Sequence, residues 1–253
     1  MRSANHTTAA TDRWTFLGGG IAAIVGSLFG MVGNLIHPAT PIGDTHGVAH
    51  AIAGSADWTP IHVAIVVGII LMLGGLVALA HAVRGALAQA LARFAMPAAA
   101  AGIAVGLVLV IVDGVAARQL AEEWAAATGD EQAIMLRIVA ANETTNFALA
   151  SLFNILFAGV TFILFGLAVA ASTNFPRWFG WVVVLGGIES IVAGLLQADS
   201  GTPLEATRVL TIIGPTIITL WLAVMGVLLV REARRVGRTD EASAVAVSAR
   251  SVA

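Results

Sequence analysis

Four of the six histidines, His37, His46, His50 and His62, fall within 26 residues, with Asp44 and Asp57 among them. Neutral imidazoles beside carboxylates suit zinc, copper, nickel or iron. His46 and His50 are four apart, so they share a face if their segment is helical. The spacing is not that of an H-E-x-x-H metal motif. Two other readings stay open: a haem held between His37 and His62, or a polar loop that is rich in histidine. Carboxylates supply the second set of reactive groups. Asp113, Glu143 and Glu189 lie in or beside apolar runs, where a charge costs at least ~2.5–3.5 kcal/mol. Glu189 and Glu143 are the candidate catalytic acid or base. Asp113, Asn146, Asn154 and Arg208 are candidate ligand-binding groups, with Arg208 also a partner for Glu189. At about 100° per residue, Glu143, Asn154 and Thr161 fall on one helical stripe and Asn146 lies near it.

Apolar helices must position these groups. Hydrophobic residues make up 58% of the 253 and charged residues 11%, against about 25% charged in a soluble domain. Mean hydropathy is +0.91. This excludes a disordered chain and a nucleic-acid binder. Cysteine is absent, which excludes disulfides, thiolate metal sites and iron–sulfur clusters. Lysine and tyrosine are absent as well, so no Schiff base and no tyrosine acid is available.

A hydrocarbon core of ~30 Å needs ~20 apolar helical residues. Six segments qualify: Phe16–Ile36, Ile61–Val83, Phe94–Val115, Asn146–Ala170, Trp178–Leu196 and Leu210–Val230. The expected fold is an all-α polytopic bundle of six transmembrane helices with short interfacial helices on the outer side. With both termini inside, ten of the 13 arginines are cytoplasmic and three (Arg118, Arg137, Arg208) are outside. That bias predicts N-in and C-in. The expected organisation is a cytoplasmic segment 1–13, a transmembrane domain 14–232 and an unstructured cytoplasmic tail 233–253. Asp44 is placed to cap a helix through Thr45–Ala53. Residues 118–127 and 131–141 read as amphipathic helices broken at Gly129, the second running into span four. Inner loops are expected near Arg84–Arg93 and Ala171–Arg177. Trp14, Trp58, Trp178, Trp181 and Trp221 sit where an aromatic belt would. Gly26, Gly30 and Gly33 mark a packing face on the first span. Gly214-Pro215 marks a kink in the sixth.

The run Asn174-Phe175-Pro176-Arg177-Trp178-Phe179-Gly180-Trp181 and the pair His37-Pro38 resemble segments of uncharacterised bacterial six-helix membrane proteins. The resemblance implies a multi-pass protein of the bacterial plasma membrane and names no activity. Acids and histidines gather towards one side, while the inner half of each span is nearly free of them. A carrier usually places its site near the midplane. The residues therefore fit best an outward-facing pocket for a small lipophilic ligand or a metal, in a binding, sensing or accessory subunit. A membrane-embedded enzyme acting on a lipophilic substrate and a proton-coupled carrier are the alternatives. Zinc, copper or haem are the cofactors considered. The bilayer and a lipophilic ligand are the expected partners, nucleic acid is not, and an oligomer is compatible with the composition.

Overall fold

The computed structural model describes residues 2–251, with side chains described for 11–204, 209–210 and 212–239. Among the described residues every regular element is helical. In chain order these are α1 (Arg2–Ile36), α2 (Thr45–Gly54), α3 (Trp58–Ala82), α4 (Ala86–Val110), the π-helical segment π1 (Ile111–Ala116), α5 (Ala117–Ala126), α6 (Asp130–Phe153), a second such segment π2 (Asn154–Thr161), α7 (Phe162–Ala171), α8 (Arg177–Ser200) and α9 (Glu205–Ser251). Among the described residues, six helices are long and apolar enough to cross a membrane: Thr11–Ile36, Trp58–Ala82, Ala86–Ala126, Asp130–Ala171, Arg177–Ser200 and Ile212–Thr239. The protein is an all-α integral membrane protein.

The third and fourth spans run 41 and 42 residues, about twice what a bilayer needs. Their excess forms a cap at the arginine-poor end. There α5 turns at Gly129, which takes φ 60°, into α6, and α6 continues into the membrane as its sequence suggested. The capping helix α2 lies across this hairpin. Its N-cap is Asp44, whose Oδ1 accepts from the Gly47 N–H at 3.0 Å. Arg118 of α5 donates to the carbonyls of Ile52 and Ser55 at the other end of α2, where free carbonyls and the helix dipole favour a cation. Val48 and Ile52 pack with Trp58, Ala117 and Ala121. Ala49 packs with Trp124 and Val139.

Within the bundle α1 packs on α3 and α9, and α7 packs on α8. Glycines allow the close approaches. A Cβ on Gly20 would lie 2.8 Å from the Gly226 carbonyl, and one on Gly26 would lie 2.7 Å from that of Gly68. Gly30 sets its backbone nitrogen 3.1 Å from where a Gly68 Cβ would lie, while its own Cβ direction meets nothing within 4 Å. At the arginine-rich end, Asn174 of the conspicuous pre-span motif donates to the Ala82 carbonyl at 3.0 Å and accepts from Ser172. The Arg84 N–H in turn donates to Ser172 Oγ. This small network locks the two inner loops together.

Three expectations need correction. No loop spans Arg84–Arg93: α4 begins at Ala86, because Ala, Leu, Gln and Arg are strong helix formers and the helix extends into the headgroup layer. Trp58 and Trp221 do not belong to an interfacial belt. Each is 2% exposed, with its indole N–H donated to a backbone carbonyl, Asp113 and Phe179 respectively. Trp14, Trp178 and Trp181 remain exposed, as anchors would be. The tail expected to be unstructured instead continues α9 as helical backbone to Ser251, and its side chains from residue 240 lie outside the described residues.

Candidate metal centre and intramembrane cavity

The site begins with how two histidines are held. His37 follows the last residue of α1, and its Nδ1 lies 2.9 Å from the Pro38 carbonyl. His62 lies one turn into α3, and its Nδ1 lies 2.7 Å from the Trp58 carbonyl. A carbonyl can only accept, so in both rings the hydrogen sits on Nδ1. The lone pair of a neutral ring is therefore on Nε2. The two Nε2 atoms face each other at 3.3 Å. Asp113 Oδ2 lies 3.0 Å from the Nε2 of His62. Three acceptor atoms converge, all within 4.8 Å of one another. Only a cation between them, a proton or a metal ion, removes the repulsion. Burial and the neighbouring His62 ring hold the His37 imidazole below its ordinary pKa, with Asp113 and the Pro38 carbonyl opposing.

The third ligand owes its position to π1. A π turn closes i→i+5 bonds and re-aims the residues within it. Here it presents Asp113 towards His62 and leaves two carbonyls for neighbours to satisfy. The Asp113 carbonyl accepts from Trp58 Nε1, and the Gly114 carbonyl accepts from Thr59 Oγ1, both at 2.7 Å. Gly114 is required by space: any Cβ there would overlap the His62 side chain. Replacing Thr59 with Val keeps its shape and deletes one tether. Metal affinity is expected to fall about tenfold with the helical circular-dichroism spectrum unchanged, as a titration with zinc would show.

The geometry suits a metal. Zinc–nitrogen bonds of about 2.0–2.1 Å in a tetrahedron place ligand atoms about 3.3 Å apart, close to the His37–His62 separation. The backbone carbonyls that fix both rings are the usual outer partners of ligating histidines. Two imidazoles and one carboxylate leave a coordination position open. A haem does not fit between these rings. The nitrogens are too close to hold a porphyrin plane between them, and Trp58 packs against both rings with centroids 4.9 Å away.

The open side of the cluster looks into a cavity of about 430 Å³. His37, His62 and Asp113 line its head. Ile65, Ile69, Met72, Phe153, Phe157 and Ile218 line its depth. Asn34, Asn146, Asn154, Gln197 and Thr219 contribute polar points to the wall. The buried Oδ1 of Asn146 has no hydrogen-bond partner.

The other residues singled out from sequence are distributed elsewhere. His46 and His50 lie on α2 against Trp124, with ring centroids 4.9 and 5.7 Å from it, and do not join His37 and His62. Glu143 lies beside Thr45 and Asp44 at the start of α2, so it serves the cap and not the cavity. Glu189 is half-buried between α8 and α9, with both carboxylate oxygens shielded from solvent. Its carboxylate occupies the place a Gly214 Cβ would take, neither oxygen has a hydrogen-bond partner, and Ser190 beside it donates to the Gly186 carbonyl. The side chain of Arg208 lies outside the described residues. The stripe through Thr161 is broken by π2, whose wider turn invalidates the 100° rule; Thr161 instead donates to the Leu156 carbonyl, five residues back. Because an unpaired charge in this position is costly, Glu189→Gln is expected to keep the metal content and melt at or above the wild-type temperature. Differential scanning fluorimetry with metal analysis checks both.

Sequence reasoning set His37 and His62 in one histidine cluster but missed that Asp113 completes the set, because a π turn leaves no mark in apolar periodicity. The one signal available was the Asp113-Gly114 pair, a small residue beside an intramembrane acid. No curated protein and no solved structure matches the chain. The family described as a domain of unknown function, DUF4386, matches residues 18–226, which covers all six spans in whole or part, and the chain belongs to that family.

Proposed function

We propose that this membrane protein binds a divalent transition metal through His37, His62 and Asp113, at the head of a pocket for a small lipophilic ligand. The observation that carries this reading is the convergence of three acceptor atoms whose rings have already committed their N–H groups to carbonyls. Zinc, or iron in a two-histidine, one-carboxylate site, suits the donor set. A metal that binds the folded state alone stabilises it by about 2.7 kcal/mol at a hundredfold excess over its dissociation constant. Zinc should therefore raise the melting temperature of the metal-free protein by several degrees. It should leave Asp113→Asn unmoved. An equal rise in both would place the metal elsewhere.

One observation favours a second reading. The open coordination position faces the cavity, which is the arrangement of a catalytic rather than a purely structural metal site. On this reading the protein is a membrane-embedded enzyme in which a metal-bound water or substrate oxygen meets a lipophilic substrate. The carrier reading draws no such support, because the polar groups cluster at one end and the wall beyond Thr219 is apolar.

A further inference from the structure

The shape and openings of the cavity say more about its occupant. The helices α1 and α9 are antiparallel, with Arg13 near Gly237 and Gly20 against Gly226. That register would set Gly30 opposite the turn around Pro215. There both residues line the cavity instead. Nothing lies within 4 Å of the Gly30 Cβ position, and Gly30 and Asn34 from α1 line the cavity together with Pro215, Ile218 and Thr219 from α9. Proline lacks the N–H that would continue the ladder, so the helix is weakest where it lines the cavity. Asn34 is exposed and lies seven residues or fewer from both Gly30 and His37. Two residues from the end of its span, this amide is well placed at the rim of an opening. Flanking side chains of this stretch, Val32, Leu35, Ile212 and Ile213, are exposed and apolar, as a lipid-facing mouth requires.

The dimensions limit what enters. On α3 the lining runs from His62 to Met72, about 15 Å at 1.5 Å per residue. At about 30 Å³ for a group the size of a water or a methylene, a volume of about 430 Å³ holds roughly fourteen such groups. That is one medium-length chain with its head group and not two chains. The wall also states what the head of the ligand must offer. The Asn146 Oδ1 is an acceptor without a donor, and an unmet buried acceptor is destabilising.

We infer that the cavity takes a single-chain, hydroxyl-bearing lipid that enters sideways from the bilayer between α1 and α9, its hydroxyl donating to Asn146 beside the metal cluster. This rests on the reading of the cavity as a ligand site, but not on the metal being present. The hydroxyl oxygen keeps a lone pair for the open coordination position when the metal is there.

The test uses the full chain in phosphatidylcholine vesicles, a photoactivatable dodecanol, and metal analysis of the same samples. Labelling should map to the cavity wall, including Met72 and Phe157. Unlabelled dodecanol should compete about tenfold better than dodecyl methyl ether, which has no O–H to donate. In Asn146→Leu that preference should vanish. Gly30→Phe, whose Cβ meets nothing within 4 Å, should abolish labelling by filling the mouth, with circular dichroism showing that the helical fold is retained. Labelling that survives Gly30→Phe, equal competition by the ether, or equal competition by a two-chain glycerolipid would each overturn the inference. Labelling of a wild type that binds no metal would uphold this inference and sink the metal reading. Stoichiometric metal with no labelling would do the reverse.

Discussion

Asp113→Asn is expected to lower metal affinity more than about 100-fold, and His62→Ala to remove stoichiometric metal altogether. Outer-sphere partners alone are worth about 10–100-fold, and these substitutions delete a ligand. Asparagine is the sharper test because its shape is that of aspartate. Its amide nitrogen can face the His62 Nε2 and donate to it, which satisfies the metal-free protein while removing the anionic oxygen. Stability without metal should therefore hold in Asp113→Asn while binding is lost. His46→Ala and His50→Ala should keep full metal, since those rings lie against Trp124 and away from the cluster. Metal binding should weaken as pH falls, because every ligand must be deprotonated to bind. His37 offers the least resistance to this, since burial already holds its ring below the ordinary value. Equilibrium dialysis of each variant with zinc measures all of these. Undiminished binding in Asp113→Asn would remove the carboxylate from the site.

Gly114→Val should abolish metal binding without touching a ligand. Its side chain would have to occupy space that His62 fills. Either α3 and π1 part, which carries Asp113 away from the imidazole, or His62 leaves its rotamer and releases the Trp58 carbonyl. Overpacking of this kind costs about 1–3 kcal/mol, so a well-packed bundle should still fold and be extracted in yield. Gly114→Ala is the milder companion and should show an intermediate loss. The same metal titration, run beside circular dichroism, separates a displaced ligand from a lost fold. Normal metal content in Gly114→Val would mean that the close approach of π1 to His62 does not position Asp113.

The broad architecture was written in long-range patterns. Apolar runs of about 20 residues marked all six spans, Asp44 announced the cap of α2, and Gly129 announced the turn between α5 and α6. The placement of α4, Trp58 and Trp221 was less legible. Whether an alanine-rich stretch with two arginines is loop or helix, and whether a tryptophan near a span end faces lipid or core, depends on neighbours far away in the chain. The site was half legible. His37 and His62 close and open adjacent spans, so their common depth follows from counting. Asp113 stood out as a ligand-binding group, but its place beside the two histidines was hidden by the π turn, since a rotation of one extra residue per turn changes which face a side chain presents. Glu189 drew attention by its depth. Depth alone does not say which helix interface a carboxylate faces, and the one it faces is not the cavity. His46 and His50 have metal-like spacing on one helix face, yet an i, i+4 pair without a third ligand carries no centre, and their rings pack on an indole.

On the proposed reading, two imidazoles and one carboxylate hold a metal at the head of an intramembrane cavity. X-ray absorption spectroscopy on tag-free protein, loaded with zinc and freed of excess, tests it most directly. The expected result is one metal per chain with two imidazole ligands and oxygen completing the shell, at about 2.0–2.2 Å, and loss of the signal in Asp113→Asn. A chain that retains no metal after loading, or a shell of three or four imidazoles drawing in His46 and His50, would contradict it.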